Sequence, residues 1–434
     1  MHPFFVLLDL FNDFLWSYIG LALILSVGIF LTWKSRGMQL FKLHRVFKIF
    51  MEMCVRESNG ETGVHPLKVF FASVGGCIGI GNIVSVCTAI QIGGPGALFW
   101  LWVTAFFGMI LKYAEVYLGI KYRVKNDRGS YDGGPMYYLQ KAFRWKWPAL
   151  VTTFLICIYG VEIHSFNVIV DSLSDNWNIP HWIIVPSLLA LIIFSVYGGV
   201  DRVGAICSGA IPVFFVIYVA MSLWVIWQNI GAVPDLFYQV FSQAFSPSAA
   251  FGGFVGSTVL MTMAQGAKQG SYSGDLGVGF ASIINSETEE TDPTWQSALA
   301  IFGIILDTFI ICTISAILIL ITDTWHNPIN PAFLVQTALA KYFPYLEIFM
   351  PFLIFLLAFS TIIAYFVVGL KCARFLSERY GSVIYYVAAV SSWIVFSFFS
   401  SVEALIIMNI AGGLLMIFNA IGFYILRDDI KFDL

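Results

Sequence analysis

The chain has 434 residues, of which 59% are hydrophobic and 11% charged, and its formal net charge is -3. Its mean hydropathy is +0.83. This composition excludes a soluble globular domain and predicts an all-α polytopic membrane protein embedded in a lipid bilayer. No basic surface that would indicate nucleic-acid binding is visible, and the seven scattered cysteines lack the C-x-x-C spacing of metal sites.

Apolar stretches recur along the chain, and each is close to the roughly 20 residues that one helical crossing of a bilayer requires. We identify eleven such spans. They cover residues 16–33, 66–92, 97–120, 148–170, 182–197, 206–230, 249–284, 297–321, 348–374, 383–399 and 404–426.

Lysine and arginine are concentrated in two connections between spans, residues 34–68 and 121–146. The positive-inside rule places both in the cytoplasm. With eleven spans, the N-terminus is then outside and the C-terminus is cytoplasmic. The acidic connection that carries Glu287, Glu289 and Glu290 is also predicted to be cytoplasmic, where it fits poorly.

The first cytoplasmic connection contains a segment in which apolar and basic residues recur at helical spacing, residues 38–51. Two interpretations stay open: an amphipathic helix lying on the inner leaflet, or a helix packed under the bundle with its basic face in water. Residues 1–65 therefore form a leading unit of one transmembrane helix and this amphipathic segment.

The second span contains an unusual cluster of glycines in the sequence V-G-G-C-I-G-I-G-N, with glycine at positions 75, 76, 79 and 81. Each glycine costs roughly 1 kcal/mol relative to alanine in a helix interior. Four within seven positions predict a helix that is broken at mid-membrane. Irregular backbone at that depth is tolerated only where it is buried in protein or lines a cavity, so the cluster indicates a binding site.

The seventh span is interrupted in the same way, by the polar, glycine-rich stretch 265–279. The two interrupted spans are five apart, so equivalent elements enter the membrane from opposite sides. Broken helices at matching positions of inverted halves are typical of secondary transporters. We therefore predict a core of residues 66–434 with inverted five-helix repeats at 66–230 and 249–426, the LeuT-type arrangement.

Several long motifs in the same order resemble the alanine or glycine:cation symporter family. They include G-I-G-N-I-V-S-V-C-T-A-I-Q-I-G-G-P-G-A-L-F-W, G-M-I-L-K-Y-A-E-V, Y-D-G-G-P-M-Y-Y-L, A-A-F-G-G-F-V-G, G-S-Y-S-G-D-L-G-V-G and A-F-S-T-I-I-A-Y. The resemblance covers nearly everything from residue 66 to residue 426. It implies sodium-coupled or proton-coupled uptake of small neutral amino acids across the plasma (inner) membrane.

The resemblance also implies a set of site residues. Sodium, the coupling ion, would bind the carbonyls of Gly75 and Ile78 and the hydroxyls of Ser360 and Thr361, because hard cations prefer oxygen ligands. No other cofactor is implied. The matching candidates for binding the amino-acid substrate are Gly79, Gly81, Asn82, Glu162, Ser165, Gln269, Ser273 and Tyr365.

The chain departs from the family pattern near the expected cavity, while the hydroxyls on the sodium side are retained. Where the family has G-T-G-N, this chain has Ile80 in place of the threonine. Where the family has N-x-x-Q, this chain has Glu162 and Ser165. Arginine, asparagine and glutamate of the seventh span become Gln269, Gly274 and Asp275, and a G-W pair becomes Ala364 and Tyr365. These departures make a transporter of altered specificity the alternative within the same family.

Charged groups at membrane depth indicate function, because each costs at least about 2.5 kcal/mol to insert. For Glu162 we weigh an interaction with the substrate's ammonium group, a proton-coupling role, and burial against another helix. For Lys112 and Glu115, three apart on one helical face, we predict a structural pair. Asp307 is assigned a structural or gating role, with ion binding as the alternative, and His164 a packing role.

The leading function is thus a sodium-coupled symporter that carries a small neutral, alanine- or glycine-like amino acid into the cell. A proton-coupled or altered-specificity transporter of the same family is the alternative, and an ion channel is the alternative from another class. An enzyme is not expected, because H-E-x-x-H and G-x-S-x-G are absent from the sequence. A monomer suffices for this mechanism, and the oligomeric state stays open.

Overall fold

The computed structural model describes residues 3–56, 62–126, 129–245 and 259–433, and helices make up nearly all of its regular structure there. The helices are α1 (Pro3–Phe14), α2 (Leu21–Lys34), α3 (Met38–Phe41), α4 (Leu43–Val55), α5 (Pro66–Cys77), α6 (Val84–Gly93), α7 (Ala97–Lys121), α8 (Pro135–Ala142), α9 (Trp147–Tyr159), α10 (Ile163–Trp177), α11 (His181–Val196), α12 (Gly199–Gln228), α13 (Val233–Phe245), α14 (Val259–Gly274), α15 (Phe280–Asn285), α16 (Pro293–Ile304), α17 (Thr313–Ile321), α18 (Leu334–Ala340), α19 (Leu346–Leu376), α20 (Gly381–Phe396) and α21 (Ser401–Ile425).

Short irregular elements complete the described chain. One pair of two-residue antiparallel strands, β1 (Val124–Lys125) and β2 (Tyr131–Asp132), precedes α8. The remaining elements are π-helical or 3₁₀ turns. The π turns are Leu15–Gly20 and Ile305–Cys312, and the 3₁₀ turns are Ile80–Asn82, Ile230–Ala232, Thr324–His326 and Pro331–Phe333.

The described part of the chain contains seven helical stretches long and apolar enough to cross a bilayer, or eight with one bent pair. The seven are Phe4–Lys34, Ala97–Lys121, Trp147–Trp177, Gly199–Gln228, Pro293–Ile321, Leu346–Leu376 and Ser401–Ile425. Two shorter apolar helices, α11 and α20, lie where the fifth and tenth spans are predicted. The all-helical membrane fold is confirmed, while the count of eleven spans stays a prediction.

The first crossing is longer than the predicted span 16–33. A π turn, Leu15–Gly20, joins α1 to α2 without a break, so the helix continues toward the N-terminus. Trp16 lies in this turn, is 1% exposed and donates to the carbonyl of Asn409, 3.1 Å away. As the first residue of the predicted span, Trp16 is expected at the membrane–water boundary, but its indole is buried against α21.

The basic segment after the first crossing packs under the bundle, which is one of the two alternatives considered. Val46, Ile49 and Met53 of α4 are buried. The ring of Phe50 lies 4.5 Å from the ring of Phe302 and 5.5 Å from that of Phe70, measured between centroids. The apolar face of α4 is therefore covered by α5 and α16.

Two breaks divide the interrupted spans. Helices α5 and α6 meet at an angle of 51°. Helices α14 and α15 are separated by residues 275–279, and the predicted start of that span, residues 249–258, lies outside the described residues. Around the breaks, α5 packs against α12 and α19, and α7 packs against α14 and α16.

The C-terminal tail is fastened to one end of the bundle. Lys121 donates to the Asp429 carboxylate at 2.7 Å and Tyr122 donates at 2.8 Å, while Lys34 pairs with Asp428 at 2.6 Å. The hydrogen bond from Lys121 holds the pKa of the Asp429 carboxyl below its usual range. This carboxylate therefore stays ionised at neutral pH, and its contacts are lost only on acidification below the usual range of an aspartate.

Candidate functional site

The first break provides free backbone in the centre of the bundle. Helix α5 ends at Cys77, Ile78 leaves the helical region at φ -73° and ψ 88°, and Gly79 is extended. The chain re-enters helix through the 3₁₀ turn Ile80–Asn82. Because the ends of helices leave carbonyl and N–H groups without intrahelical partners, the break presents acceptors and donors side by side.

Close packing explains two of the glycines before the break. A Cβ on Gly75 would lie 2.5 Å from Sγ of Cys207, and one on Gly76 would lie 2.3 Å from the ring of Phe280. Neither position has room for a side chain. Helix α5 can therefore approach α12 and α15 only with glycine there.

A narrow cavity of about 10 Å³ lies beside this break. Its lining residues come from four parts of the fold: the end of α5 with the break after it, the start of α10 with the turn before it, α14 and α19. They are Gly76, Cys77, Gly79, Ile80, Gly81, Glu162, Ser165, Tyr272, Ser273, Thr361 and Tyr365. The structure thus brings together six of the eight residues predicted to bind substrate.

The two remaining substrate candidates lie elsewhere. Asn82 is buried with its side-chain oxygen accepting from the N–H of Gly79 at 2.9 Å and its amide donating to the Asp307 carboxylate. Its amide thus caps the break and ties it to the π turn that contains Asp307. Gln269 is buried in α14, and its Oε1 has no partner among the described residues.

The candidate sodium ligands also meet at the break. The Gly75 carbonyl accepts from the hydroxyls of Ser360 and Thr361, at 3.2 and 3.3 Å. Both hydroxyl oxygens also lie within hydrogen-bond distance of the Leu357 carbonyl in α19, at 2.8 and 3.1 Å, so each hydroxyl hydrogen has two possible acceptors. A Cβ on Gly79 would lie 2.2 Å from the Thr361 hydroxyl, so this oxygen sits directly against the break. Ile78, the residue that follows the end of α5, is fully buried.

Glu162 is the carboxylate that lines the cavity. It lies in the turn between α9 and α10 and is 2% exposed. Its Oε1 accepts from Tyr272 at 2.5 Å and from Ser165 at 2.9 Å. Its Oε2 is buried and has no hydrogen-bond partner among the described residues.

The family profile of the sodium:alanine symporters matches residues 2–432. The chain belongs to this family. The protein is therefore a multi-pass membrane transporter and not an enzyme, as the sequence predicts.

Named relatives are similar over most of the chain. A sodium/alanine symporter, AgcS, of Methanococcus maripaludis is 30% identical over 98% of this chain and 95% of its own. A probable sodium/glutamine symporter, GlnT, of Bacillus subtilis is 28% identical over 96% of this chain and 87% of its own. An uncharacterised transporter of Haemophilus influenzae is 35% identical over 74% and 71%.

The solved structures confirm the LeuT-type fold. The crystal structure of MhsT in complex with L-phenylalanine matches with a TM-score of 0.59, covering 86% of this chain and 91% of that chain. The two share 14% sequence identity, so the likeness concerns the fold alone.

Cys77 and Tyr272 line the cavity but are not among the sequence-derived candidates, and Asp275 and Tyr159 contact residues that line it. The Asp275 carboxylate accepts from Tyr365, and Cys77 lies 3.1 Å from its Oδ2. Tyr159 lies 3.5 Å from its Oδ1, at the limit of a hydrogen bond. Asp275 has a left-handed backbone, φ 50°, in the second break. The sequence singles out Asp275 as a departure from the family, but its contacts depend on how the helices are rotated.

The prediction that Lys112 pairs with Glu115 is wrong. Lys112 donates to the carbonyl of Gly274 at 2.7 Å and lies 2.9 Å from Sγ of Cys77. Glu115 instead accepts from the N–H of Ser282 at 3.1 Å. Each side chain thus supports one end of the second broken span, and the helical spacing that suggested a pair is not used.

His164 packs as predicted. Its Nδ1 lies 2.9 Å from the carbonyl of Ser401, at the start of α21, and its ring meets that of Tyr272 edge-on at 5.9 Å. The ring thus fixes α10 against α21 and supports the tyrosine that contacts Glu162.

Proposed function

We propose that this protein is a sodium-coupled symporter that carries a small amino acid into the cell. The observation that carries the proposal is the meeting of the Gly75 carbonyl with the hydroxyls of Ser360 and Thr361 beside the cavity. Oxygen ligands of this kind suit a hard monovalent cation, and the adjacent half-helix ends suit a zwitterion. The names of the two symporter relatives support sodium as the coupling ion.

The half-helices assign the polar groups of the substrate. The substrate carboxylate would lie at the N-terminus of the 3₁₀ turn Ile80–Asn82, where N–H groups and the positive dipole end point toward it. Its α-ammonium group would lie at the carbonyl end of α5. Gly79 and Gly81 let the backbone approach these groups closely, since neither carries a side chain.

Orientation in the inner membrane is part of the same proposal. Basic residues gather at the end of the bundle where the C-terminal tail is fastened, including Lys34, Lys121 and Lys371. The positive-inside rule makes this end cytoplasmic, with the N-terminus outside. A monomer is sufficient for the proposed transport.

Purified protein in sealed vesicles tests the function. Labelled alanine or serine should accumulate above its outside concentration when sodium is imposed outside, and should only equilibrate when potassium replaces sodium. Accumulation driven equally well by an imposed proton gradient without sodium would contradict sodium coupling. Rapid flux that ignores both gradients would contradict symport altogether.

Thr361→Ala should raise the sodium concentration for half-maximal uptake by about tenfold, which corresponds to roughly 1.4 kcal/mol of lost ion binding. The reason is the loss of one hydroxyl ligand beside the Gly75 carbonyl. Thr361→Ser keeps the hydroxyl and should restore most of the sodium affinity.

Thr337→Ala is the matched control, because Thr337 likewise donates to the carbonyl four residues earlier but lies in α18. It should leave the sodium dependence unchanged. The ligand assignment fails if Thr361→Ala and Thr337→Ala give the same sodium dependence as the parent protein.

A further inference from the structure

The buried carboxylate of Glu162 is only half satisfied. Its Oε1 accepts two hydroxyl donors, whereas Oε2 has no hydrogen-bond partner among the described residues. A buried polar atom without a partner is costly, and an isolated buried charge costs more. In a transporter, a ligand that enters the cavity can supply the missing partner.

A structural role at the helix end does not account for this carboxylate. Glu162 directly precedes α10, where a carboxylate commonly caps the free N–H groups of the first turn. Its side chain makes no such capping bond. Instead the residue holds a left-handed backbone, φ 51°, and its side chain lines the cavity.

The turn that holds Glu162 is fixed by its neighbours. The indole of Trp393 donates to the carbonyl of Val161 at 2.9 Å. A Cβ on Gly160 would lie 2.9 Å from the carbonyl oxygen of Tyr365, so the turn packs tightly on α19. A non-glycine residue in a left-handed conformation costs on the order of 1 kcal/mol and persists only when its surroundings impose it.

No cationic side chain among the described residues pairs with Glu162. Lys112 contacts Gly274 and Cys77, and Nδ1 of His164 lies against the carbonyl of Ser401, while its Nε2 has no hydrogen-bond partner among the described residues. The other acid near the cavity, Asp275, is bound by Tyr365 and Cys77. The cavity thus presents a carboxylate without a counter-ion from the protein.

The backbone groups of an amino acid do not need this carboxylate. The α5–α6 break offers N–H groups to the substrate carboxylate and carbonyls to the α-ammonium group. Glu162, Ser165 and Tyr272 come from α10 with its preceding turn and from α14, so they form a separate wall of the same cavity. With the substrate's backbone groups at the break, its side chain would face that wall.

On the basis of the proposed function, we propose that Glu162 binds a second ammonium group on the substrate. The transporter then prefers a short diamino acid to alanine or serine. The hydroxyls of Ser165 and Tyr272 orient the carboxylate by donating to its Oε1, which leaves Oε2 for the substrate. Glu162 and Gly79 line the same small cavity, which favours a short side chain between the amino acid's Cα and its amine.

Serine and 2,3-diaminopropionate are a matched pair of probes, because they have the same number of heavy atoms and differ in a hydroxyl against an amine. At pH 6, where both amines carry a proton, sodium-driven uptake in vesicles should favour labelled L-2,3-diaminopropionate over labelled L-serine by at least about tenfold in apparent affinity, about 1.4 kcal/mol. A preference for serine, or equal affinity for the two, overturns the proposal. Uptake of alanine without uptake of 2,3-diaminopropionate overturns the proposal as well.

Glu162→Gln should lower uptake of 2,3-diaminopropionate at least about tenfold more than it lowers uptake of serine, so that the preference is lost. Glu162→Asp, which keeps the charge, should retain the preference in part. Glu347→Gln removes an exposed carboxylate at the start of α19 and serves as the control without effect. If Glu162→Gln lowers uptake of both substrates equally and keeps the preference for 2,3-diaminopropionate, the assignment is overturned. Loss of sodium dependence for serine in the parent protein contradicts the proposed function instead.

Discussion

Gly79→Ala should reduce sodium-driven uptake by roughly 100-fold. The added methyl group would lie 2.2 Å from the Thr361 hydroxyl and 3.3 Å from the Thr361 Cβ, far inside contact distance. Overpacking of a tight interior costs about 1 to 3 kcal/mol, and here the strain falls on both the α5–α6 break and the proposed sodium ligand. Initial rates in vesicles, at several sodium concentrations, measure the effect.

Gly209→Ala is the matched control, because a Cβ on Gly209, within α12, meets nothing within 4 Å. That substitution should leave uptake unchanged and stabilise the helix slightly, since alanine is the better helix former. Equal amounts of folded protein, checked by gel filtration in detergent, separate lost transport from lost folding. Uptake by Gly79→Ala at the parent rate would show that the glycine is not needed at the site.

Much of the fold is readable from the sequence, because membrane insertion depends on the lengths of apolar stretches. The glycine cluster 75–81 marks the first break, where the helix indeed ends at Cys77. The polar stretch 265–279 marks the second break, whose non-helical residues are 275–279. The first crossing is longer than predicted because a π turn carries the helix through Leu15–Gly20, and an apolar pattern does not reveal this.

Side-chain contacts at the site are less readable, because they depend on how each helix is rotated. Helical spacing suggests that Lys112 meets Glu115, yet Lys112 contacts Gly274 and Cys77, which are distant in sequence. Tyr272 lies within a recognised motif, but only the packing of α14 against the α9–α10 turn shows that it donates to Glu162. The Ser360 and Thr361 hydroxyls could be placed, because the family resemblance supplies the pairing of α5 with α19.

The acidic connection that fits the positive-inside rule poorly is explained by ion pairs. Glu287 pairs with Lys371 at 2.5 Å, and Glu290 pairs with Arg56 at 2.5 Å. Arg123 donates to the carbonyls of Ser286 and Thr288 in the same connection. Acidic side chains there serve as partners for basic residues of other elements, a role that a rule based on counting charges does not consider.

Lys371→Met should lower the free energy of unfolding by about 3 kcal/mol. The Lys371 ammonium is 10% exposed and pairs with Glu287, which is 11% exposed, and with Asp132, 3.0 Å away and 29% exposed. Removing it leaves two carboxylates without a counter-ion, and breaking a buried pair typically costs about 3 to 5 kcal/mol. The lower end applies because Asp132 retains some contact with solvent.

Thermal unfolding in detergent measures the change, with Lys48→Met as the control. Lys48 is 76% exposed and lies 3.7 Å from Glu52, so its removal should cost at most about 0.5 kcal/mol. The double variant Lys371→Met with Glu287→Gln should recover part of the loss, because it removes one of the stranded charges. Since Lys371 lies in α19, which also carries Ser360 and Thr361, this ion pair joins α19 to the connection that follows α15. Equal melting temperatures for Lys371→Met and Lys48→Met would mean that the buried pair does not hold these elements together.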